Sequence, residues 1–360
     1  MTKLNIHLGE RSYPIYITTD FDSIYKNMDY AGINGKIVVI TDSKVDKCQG
    51  DEFLSGLKQY GGPIYKYVIE AGEKSKTLDT VKAIYKFLIE NKTERNSTLV
   101  ALGGGVVGDI AGFAAATFYR GLNFVQVPTT LLAQADSSVG GKVGVDFEGN
   151  KNVIGAFYQP RFVYINVNTL RTLPERELKS GLAEVIKHGI IMDEEFFDYI
   201  DDNMEKIFNF NEDVLQYLAK VNCTIKGTVV EQDEKESGLR AILNFGHTFG
   251  HAIESAFNFE YLHGECVALG IAAAFKTAQY LNITNPRETE RVTRVLQKAG
   301  LPVKMKKMDI NRIYEQMYSD KKVKKDTLLF VLPKKVGEVV QITLDDESLI
   351  KRVLSELMEA

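Results

Sequence analysis

A chain of 360 residues exceeds one ordinary hydrophobic core and suits two domains. Its 44% hydrophobic and 26% charged content is that of a globular chain. A net charge of -4 excludes a global pull toward nucleic acid or anionic membrane, so any anion site must be local. Three cysteines (Cys48, Cys223 and Cys266), odd in number and far apart, argue against a disulfide framework and lead us to expect a reducing cytoplasm. The start, MTKLNIHLGE, lacks the apolar stretch of a secretory signal. The longest apolar run, residues 267–275, is broken by Gly270 and too short to span a bilayer.

In chain order, residues 36–40 (KIVVI) read as a buried strand ending at Asp42, and residues 64–69 as another. Residues 78–91 have helical spacing, with Leu78, Val81, Ile84, Tyr85 and Leu88 on one face. Residues 98–102 (TLVAL) and 124–128 (FVQVP) are short strands. This alternation predicts an α/β, Rossmann-like first domain with a mostly parallel sheet, over residues 1–175. Beyond it, residues 182–191, 194–207, 214–230, 248–257 and 267–281 read as helices, giving a mainly α-helical second domain over residues 176–360.

The first strand-to-helix junction with chemical promise is GGGVVGD, Gly103 to Asp109, where bare backbone N–H groups can approach a pyrophosphate. It is a poor dinucleotide fingerprint. It does not follow the first strand, and no acidic residue sits about twenty positions on, although Asp42 ends an earlier strand.

Metal-like residues lie in GLAEVIKHG (residues 181–189), NFGHTFGHAIE (residues 244–254) and His263-Gly264-Glu265. His247 and His251, four apart, share a helix face and are the pair that spacing nominates as ligands. Glu184 is the natural carboxylate, since it lies beside Lys187 in an otherwise apolar helix. Spacing leaves open whether His263 or a carboxylate completes the set. An anion site is suggested by QADSSVGGKVG (residues 134–144) followed by Gly149-Asn150-Lys151-Asn152, read as a glycine-rich loop carrying Asp136, Lys142, Lys151 and Asn152. Arg120 in FYRG adds a guanidinium.

Together GGGVVGD, FYRG, QVPTTLLAQADSSVGGK, GLAEVIKHG, NFGHTFGHAIE and HGE resemble, in this order and spacing, the 3-dehydroquinate synthase family of sugar-phosphate cyclases. The resemblance covers roughly residues 30 to 335. It implies a zinc (or cobalt) site of Glu184, His247 and His263, with His251 at the substrate phosphate instead of on the metal. It implies NAD held by Asp42, Glu73, Lys76, Gly105, Val106, Val107, Gly108, Asp109, Thr129 and Thr130, bordered by Lys142, Lys151, Thr169, Leu170, Arg171 and Thr172. Asp136, Lys142, Asn152, Lys187, Lys226, Arg240, Asn244 and His251 would meet the substrate, with Asp136, Glu184, Lys187 and His251 in the catalytic roles. Arg120 would reach across a homodimer, and Lys321 or Lys322 would contribute a further contact.

The implied reaction converts 3-deoxy-D-arabino-heptulosonate 7-phosphate to 3-dehydroquinate and phosphate. It runs through transient oxidation, phosphate elimination, re-reduction, ring opening and an intramolecular aldol step. The rivals are another sugar-phosphate cyclase such as 2-deoxy-scyllo-inosose synthase, a metal-dependent polyol dehydrogenase, and a non-catalytic NAD-binding protein. Lys226 and Arg240 offer a partner for a carboxylate that the other cyclases' substrates lack.

Overall fold

The computed structural model describes residues 1–236, 238–319 and 328–359; Lys321 and Lys322 lie outside the described residues. The chain divides into two compact units, Met1–Leu173 with Phe210–Glu231, and Pro174–Asn209 with Gln232–Ala360. The helix Glu212–Gln232 thus groups with the first unit, whereas the change of sequence texture suggested one boundary at 175. Its partners explain the grouping. Asn168 Nδ2 donates to Glu212 Oε1 at 2.9 Å, Cys223 Sγ donates to the Gln134 carbonyl at 3.5 Å, and Lys226 Nζ pairs with Asp136 Oδ1 at 2.8 Å.

The first unit is built on nine strands: β1 (Thr2–Ile6), β2 (Tyr13–Thr18), β3 (Ile37–Asp42), β4 (Ile64–Ile69), β5 (Thr98–Gly103), β6 (Asn123–Pro128), β7 (Lys142–Phe147), β8 (Asn150–Phe157) and β9 (Phe162–Asn166). Seven form one sheet in the order β1-β2-β9-β6-β5-β3-β4, parallel except for the β1–β2 pair. Strand residues alternate between two cores. Val38, Ile40, Leu99 and Ala101 pack with Ile84, Leu88 and Ile110 on one face. Ile37, Val39, Val100 and Leu102 pack with Phe21, Met28 and Phe53 on the other. Burial on both faces is why these strands read as unbroken apolar runs and not as alternating ones.

The helix expected over residues 78–91 is Leu78–Glu90. The Thr77 hydroxyl accepts from Thr80 N at its start, and Val81, Ile84 and Leu88 are buried. The segment read as a glycine-rich loop is instead the antiparallel hairpin β7–β8. Two facts explain the difference. Glu148 (φ 48°) and Gly149 (φ 76°) are consecutive left-handed residues, as a tight hairpin turn requires. Gly144 faces Gly155 across the pair, where a Cβ on either would meet opposing backbone at 2.6 or 2.4 Å. Glycine here permits close strand approach; it does not mark a loop.

The second unit is mainly helical, with one antiparallel hairpin among its described residues, of β10 (Leu328–Lys335) and β11 (Glu338–Leu344). The helix expected at 182 begins at Glu175, with Glu175 and Glu177 in its first turn, and runs to Met192. The expected helix over 194–207 is broken at Asn203 into Glu194–Asp202 and Met204–Phe208. The expected helices at 248 and 267 begin at His247 and His263, so both histidines occupy helix N-termini.

Candidate metal centre and cofactor-binding edge

Three helices of the second unit carry the metal candidates: Glu175–Met192, His247–Ala256 and His263–Tyr280. Glycines let them approach. A Cβ on Gly264 would lie 1.9 Å from the Ser180 carbonyl oxygen, and one on Gly270 would lie 1.8 Å from that of Gly246. Only hydrogen fits at such crossings.

Glu184 is fully buried. Its Oε1 stands 3.4 Å from His247 Nε2 and 3.2 Å from His263 Nε2. The ligand atoms of all three residues lie within 4.8 Å of one another. His247 Nδ1 is 3.0 Å from the Phe245 carbonyl, which can only accept. The proton therefore sits on Nδ1, and Nε2 turns its lone pair toward the carboxylate. Two electron-rich atoms facing each other in a buried site call for a cation between them. Two imidazoles and one carboxylate, leaving a position open, suit zinc or cobalt. The residues present fit such an ion.

Before an ion binds between them, the two rings differ in charge. Burial pushes His247 down to about 4, outweighing the pull of Glu184, so its ring is neutral. Burial also opposes the charged form of His263, but the Glu184 and Glu254 carboxylates on either side of the ring prevail and hold it up at about 9, so a metal would displace the Nε2 proton on binding. Burial alone would raise Glu184. The Lys187 ammonium beside it outweighs burial and keeps the carboxyl well below the ordinary carboxylate range. Lys187, itself buried, pairs with Glu184 and donates to the Leu243 carbonyl at 2.8 Å.

His251 is on the same helix face as His247 but is not in the Glu184 group. It clusters with Glu254 and His263. Arg240 is buried, and its guanidinium donates to the Glu234 carbonyl. Asn244 Nδ2 donates to Glu236 Oε1 at 2.9 Å. Sequence reasoning assigned no role to Glu254, whose carboxylate stands 3.7 Å from His263 Nδ1. A signal was present, since Glu254 is seven residues after His247 and three after His251, on one face.

In the first unit, the chain goes from β3 outward to β4 and returns to β5 on the other side of β3, so the order reverses between β3 and β5. Ligands of open α/β sheets bind outside the carboxyl ends of the strands at such a reversal. Asp42 ends β3 there, Gly103 ends β5, and Gly104 and Gly105 follow it. An acid thus stands at the end of the strand beside β5 in the sheet, not twenty residues after the glycines. Both backbone N–H groups that Asp42 accepts, from Lys44 and Val45, land on Oδ1.

Gly104 and Gly105 lie where a Cβ would meet Thr130 at 3.0 Å and Ser137 at 3.2 Å. The Thr129 hydroxyl is buried without a hydrogen-bond partner. A bare cradle beside an unsatisfied hydroxyl fits a dinucleotide phosphate. Val106, Val107 and Gly108 continue into the helix Gly105–Thr117. Asp109 on that helix pairs with Lys76 Nζ at 2.7 Å. The same Nζ donates to Asn152 Oδ1, which ties the β7–β8 hairpin to this edge. Glu73 pairs with Lys151 at 3.9 Å, and Lys142 is exposed on β7.

Thr169, Leu170, Arg171 and Thr172 lie in a 3-10 turn, Val167–Thr172, whose polar side chains bond both within it and to other parts of the first unit. Thr169 Oγ1 donates to the Asn166 carbonyl, Thr172 Oγ1 accepts from Gln49, and Arg171 donates to Asn168 and the Phe210 carbonyl. Arg120 is exposed on a turn where Tyr119 (φ 53°) and Arg120 (φ 67°) are both left-handed. Each such residue costs about 1 kcal/mol or more, a strain that surrounding structure must maintain.

Solved structures share this architecture. The chain matches 2-deoxy-scyllo-inosose synthase complexed with carbaglucose-6-phosphate, NAD+ and Co2+ at TM-score 0.86 and 26% identity, over 99% of this chain and 100% of that one. It matches 2-epi-5-epi-valiolone synthase from Streptomyces hygroscopicus, with NAD+ and Zn2+ bound, at TM-score 0.89 and 25% identity over 98% of each chain. Fold and donor set therefore place it in the class of these synthases. Family models narrow the class: "3-dehydroquinate synthase N-terminal" matches residues 66–180 and "3-dehydroquinate synthase C-terminal" residues 181–323. A 3-dehydroquinate synthase of Acetivibrio thermocellus is 62% identical over 360 residues, all of both chains. The chain belongs to the 3-dehydroquinate synthase family.

Proposed function

We propose that the chain converts 3-deoxy-D-arabino-heptulosonate 7-phosphate to 3-dehydroquinate and phosphate, using NAD and zinc or cobalt, as a cytoplasmic homodimer. The observation that carries this reading is the buried Glu184 carboxylate faced by two imidazole nitrogens at 3.4 and 3.2 Å. When bound, the dinucleotide would supply a transient hydride acceptor and the metal a Lewis acid that acidifies a substrate hydroxyl.

In the second unit, Glu184, His247 and His263 would hold the metal. Lys187, fixed by Glu184 and Leu243, would hold and return the proton of the hydroxyl being oxidised. Asn244 and His251 would orient the phosphate, and Arg240 would pair with the substrate carboxylate. In the first unit, Asp136 would accept from a neighbouring hydroxyl, and Lys226, held on Asp136, would supply positive charge for the carboxylate. Lys142 and Asn152 would bind phosphate, which can take the adjacent proton itself as it leaves. Asp42 would hold a ribose. The backbone of Gly105 to Asp109, with Glu73, Lys76, Thr129, Thr130, Lys151 and Thr169 to Thr172, would frame the dinucleotide.

A homodimer with Arg120 reaching the second copy's site is supported by the outer face of β8. Val153 and Phe157 there are 37% and 46% exposed, in the same unit as the strained Arg120 turn. Phe157→Glu should shift the chain toward monomer in sedimentation velocity; an unchanged mass would contradict this face as the interface.

Another cyclase, on a substrate without a carboxylate, would leave the buried cations Lys226 and Arg240 without that partner. The deciding assay supplies the heptulosonate phosphate with catalytic NAD and follows phosphate and dehydroquinate with and without EDTA. Phosphate without dehydroquinate, or indifference to chelation, sinks the reading. Net NADH accumulation would indicate a dehydrogenase. His247→Ala should lose the metal and turnover while keeping the fold.

A further inference from the structure

The two histidines facing Glu184 differ in what stands behind them. His247 Nδ1 donates to a neutral backbone carbonyl, that of Phe245, at 3.0 Å. His263 Nδ1 faces a carboxylate, Glu254 Oε2, at 3.7 Å, while its Nε2 faces Glu184 Oε1 at 3.2 Å. Glu254 is only 5% exposed, and it comes from the helix His247–Ala256, not from the helix that begins at His263. A buried carboxylate on one ring nitrogen fixes the proton there, orients the ring and makes the other nitrogen a stronger donor. Within the helix, Glu254 follows His247 by seven residues, two helical turns. One element therefore presents both a ligand and the group that aims the second ligand.

We infer that Glu254 is the positioning residue for His263, setting its tautomer and donor strength toward a metal at Glu184, His247 and His263. This rests on the proposed metal centre. His251, Glu254 and His263 also lie close enough together to be read as ligands of a second ion. The Glu254–His263 geometry favours the positioning role, because the Nδ1 of His263 already faces the carboxylate while Nε2 faces Glu184.

The test measures zinc affinity by chelator competition, metal stoichiometry, and the visible spectrum of the cobalt-loaded protein. It compares the parent full-length chain with Glu254→Gln, Glu254→Asp and Glu184→Gln. Glu254→Gln preserves shape and removes charge. It should weaken zinc about 10–100-fold and shift the cobalt bands, at one metal per chain throughout. Glu254→Asp keeps the charge but withdraws it, and should fall between Gln and the parent. Parental affinity and spectrum in Glu254→Gln overturn the inference. So do two metals in the parent falling to one in the variant with the remaining affinity unchanged. Should Glu254→Gln not fold, parental affinity in Glu254→Asp overturns it equally. Glu184→Gln separates the two readings. If it leaves zinc affinity unchanged, the metal centre itself is wrong. If it abolishes binding while Glu254→Gln does nothing, only the positioning role fails.

Discussion

Gly264→Ala tests whether the helix crossing governs the metal centre. The new Cβ would stand 1.9 Å from the Ser180 carbonyl oxygen, 2.5 Å from its carbon and 2.7 Å from Oγ. Two of these atoms are backbone, so no rotamer change relieves the clash, and the helix His263–Tyr280 must retreat from Glu175–Met192 by roughly an ångström. The movement begins next to His263, whose Nε2 is 3.2 Å from Glu184 Oε1, and one turn from Glu184 on the other helix. It also stretches the bond from Gly264 N to Ser180 Oγ, now 3.0 Å. Overpacking of this kind costs about 1–3 kcal/mol, while a 1 Å displacement at a site costs about 100-fold in rate.

Gly264→Ala should therefore be only moderately less stable yet lose about two orders of magnitude in kcat/KM, with weakened zinc binding. Ser180→Ala is the control. It removes the hydroxyl acceptor but keeps the carbonyl and the spacing, so it should cost about 1 kcal/mol of stability and little zinc affinity. Thermal melts, chelator competition and steady-state kinetics read all three. Parental zinc affinity and turnover in Gly264→Ala would refute the claim that close approach sets ligand geometry.

Other expectations follow from buried groups. Burial pushes the Cys223 thiol up to about 12 against a smaller opposing pull from Lys226, and Cys266 is also buried, whereas Cys48 is exposed. Native alkylation at pH 8 should label Cys48 alone by mass spectrometry, and denaturant should expose all three; rapid native labelling of Cys223 would contradict its burial. Asp109→Asn removes the carboxylate that Lys76 pairs with but leaves Asn152 accepting from the same ammonium, and should destabilise the fold by about 2 kcal/mol in denaturant titration. Burial opposes the charged form of Lys76, but Asp109 and Glu73 outweigh it, and its folded pKa is raised above 10.5. A raised folded value gives stability that is complete below the unfolded pKa and is lost as pH rises through the folded one. The alkaline fall in unfolding free energy above pH 10.5 should thus be shallower in Lys76→Met, and an unchanged slope would argue against the pair.

Much of the fold was legible because it rests on local periodicity. β4 and the helix Leu78–Glu90 begin where the pattern placed them, since apolar burial on one or both faces leaves a direct imprint on composition. The β7–β8 hairpin was not legible. Its glycines serve the approach of a partner strand and a left-handed turn, and both look like loop chemistry until the partner is known. The early starts at Glu175 and His263 were missed because polar first turns carry no apolar period. Helix Glu212–Gln232 was assigned by texture, yet side-chain partners such as Gln134 and Asp136 decide where it belongs.

The histidines show where spacing stops being informative. Four residues apart, His247 and His251 are equivalent to any argument from helical period. What marks out His247 is the group behind its ring. Gly246 adopts φ 78°, a left-handed turn that a larger residue would enter with strain. A Cβ there would also press on Ile271 and Val267 at 3.0–3.1 Å. That turn places the Phe245 carbonyl 3.0 Å from His247 Nδ1 and so commits Nε2 to Glu184. A glycine precedes each histidine, so the discriminating feature is the left-handed turn that only Gly246 makes, at the helix start. It becomes readable only when the helix Glu175–Met192 brings Glu184 to the other side of the ring.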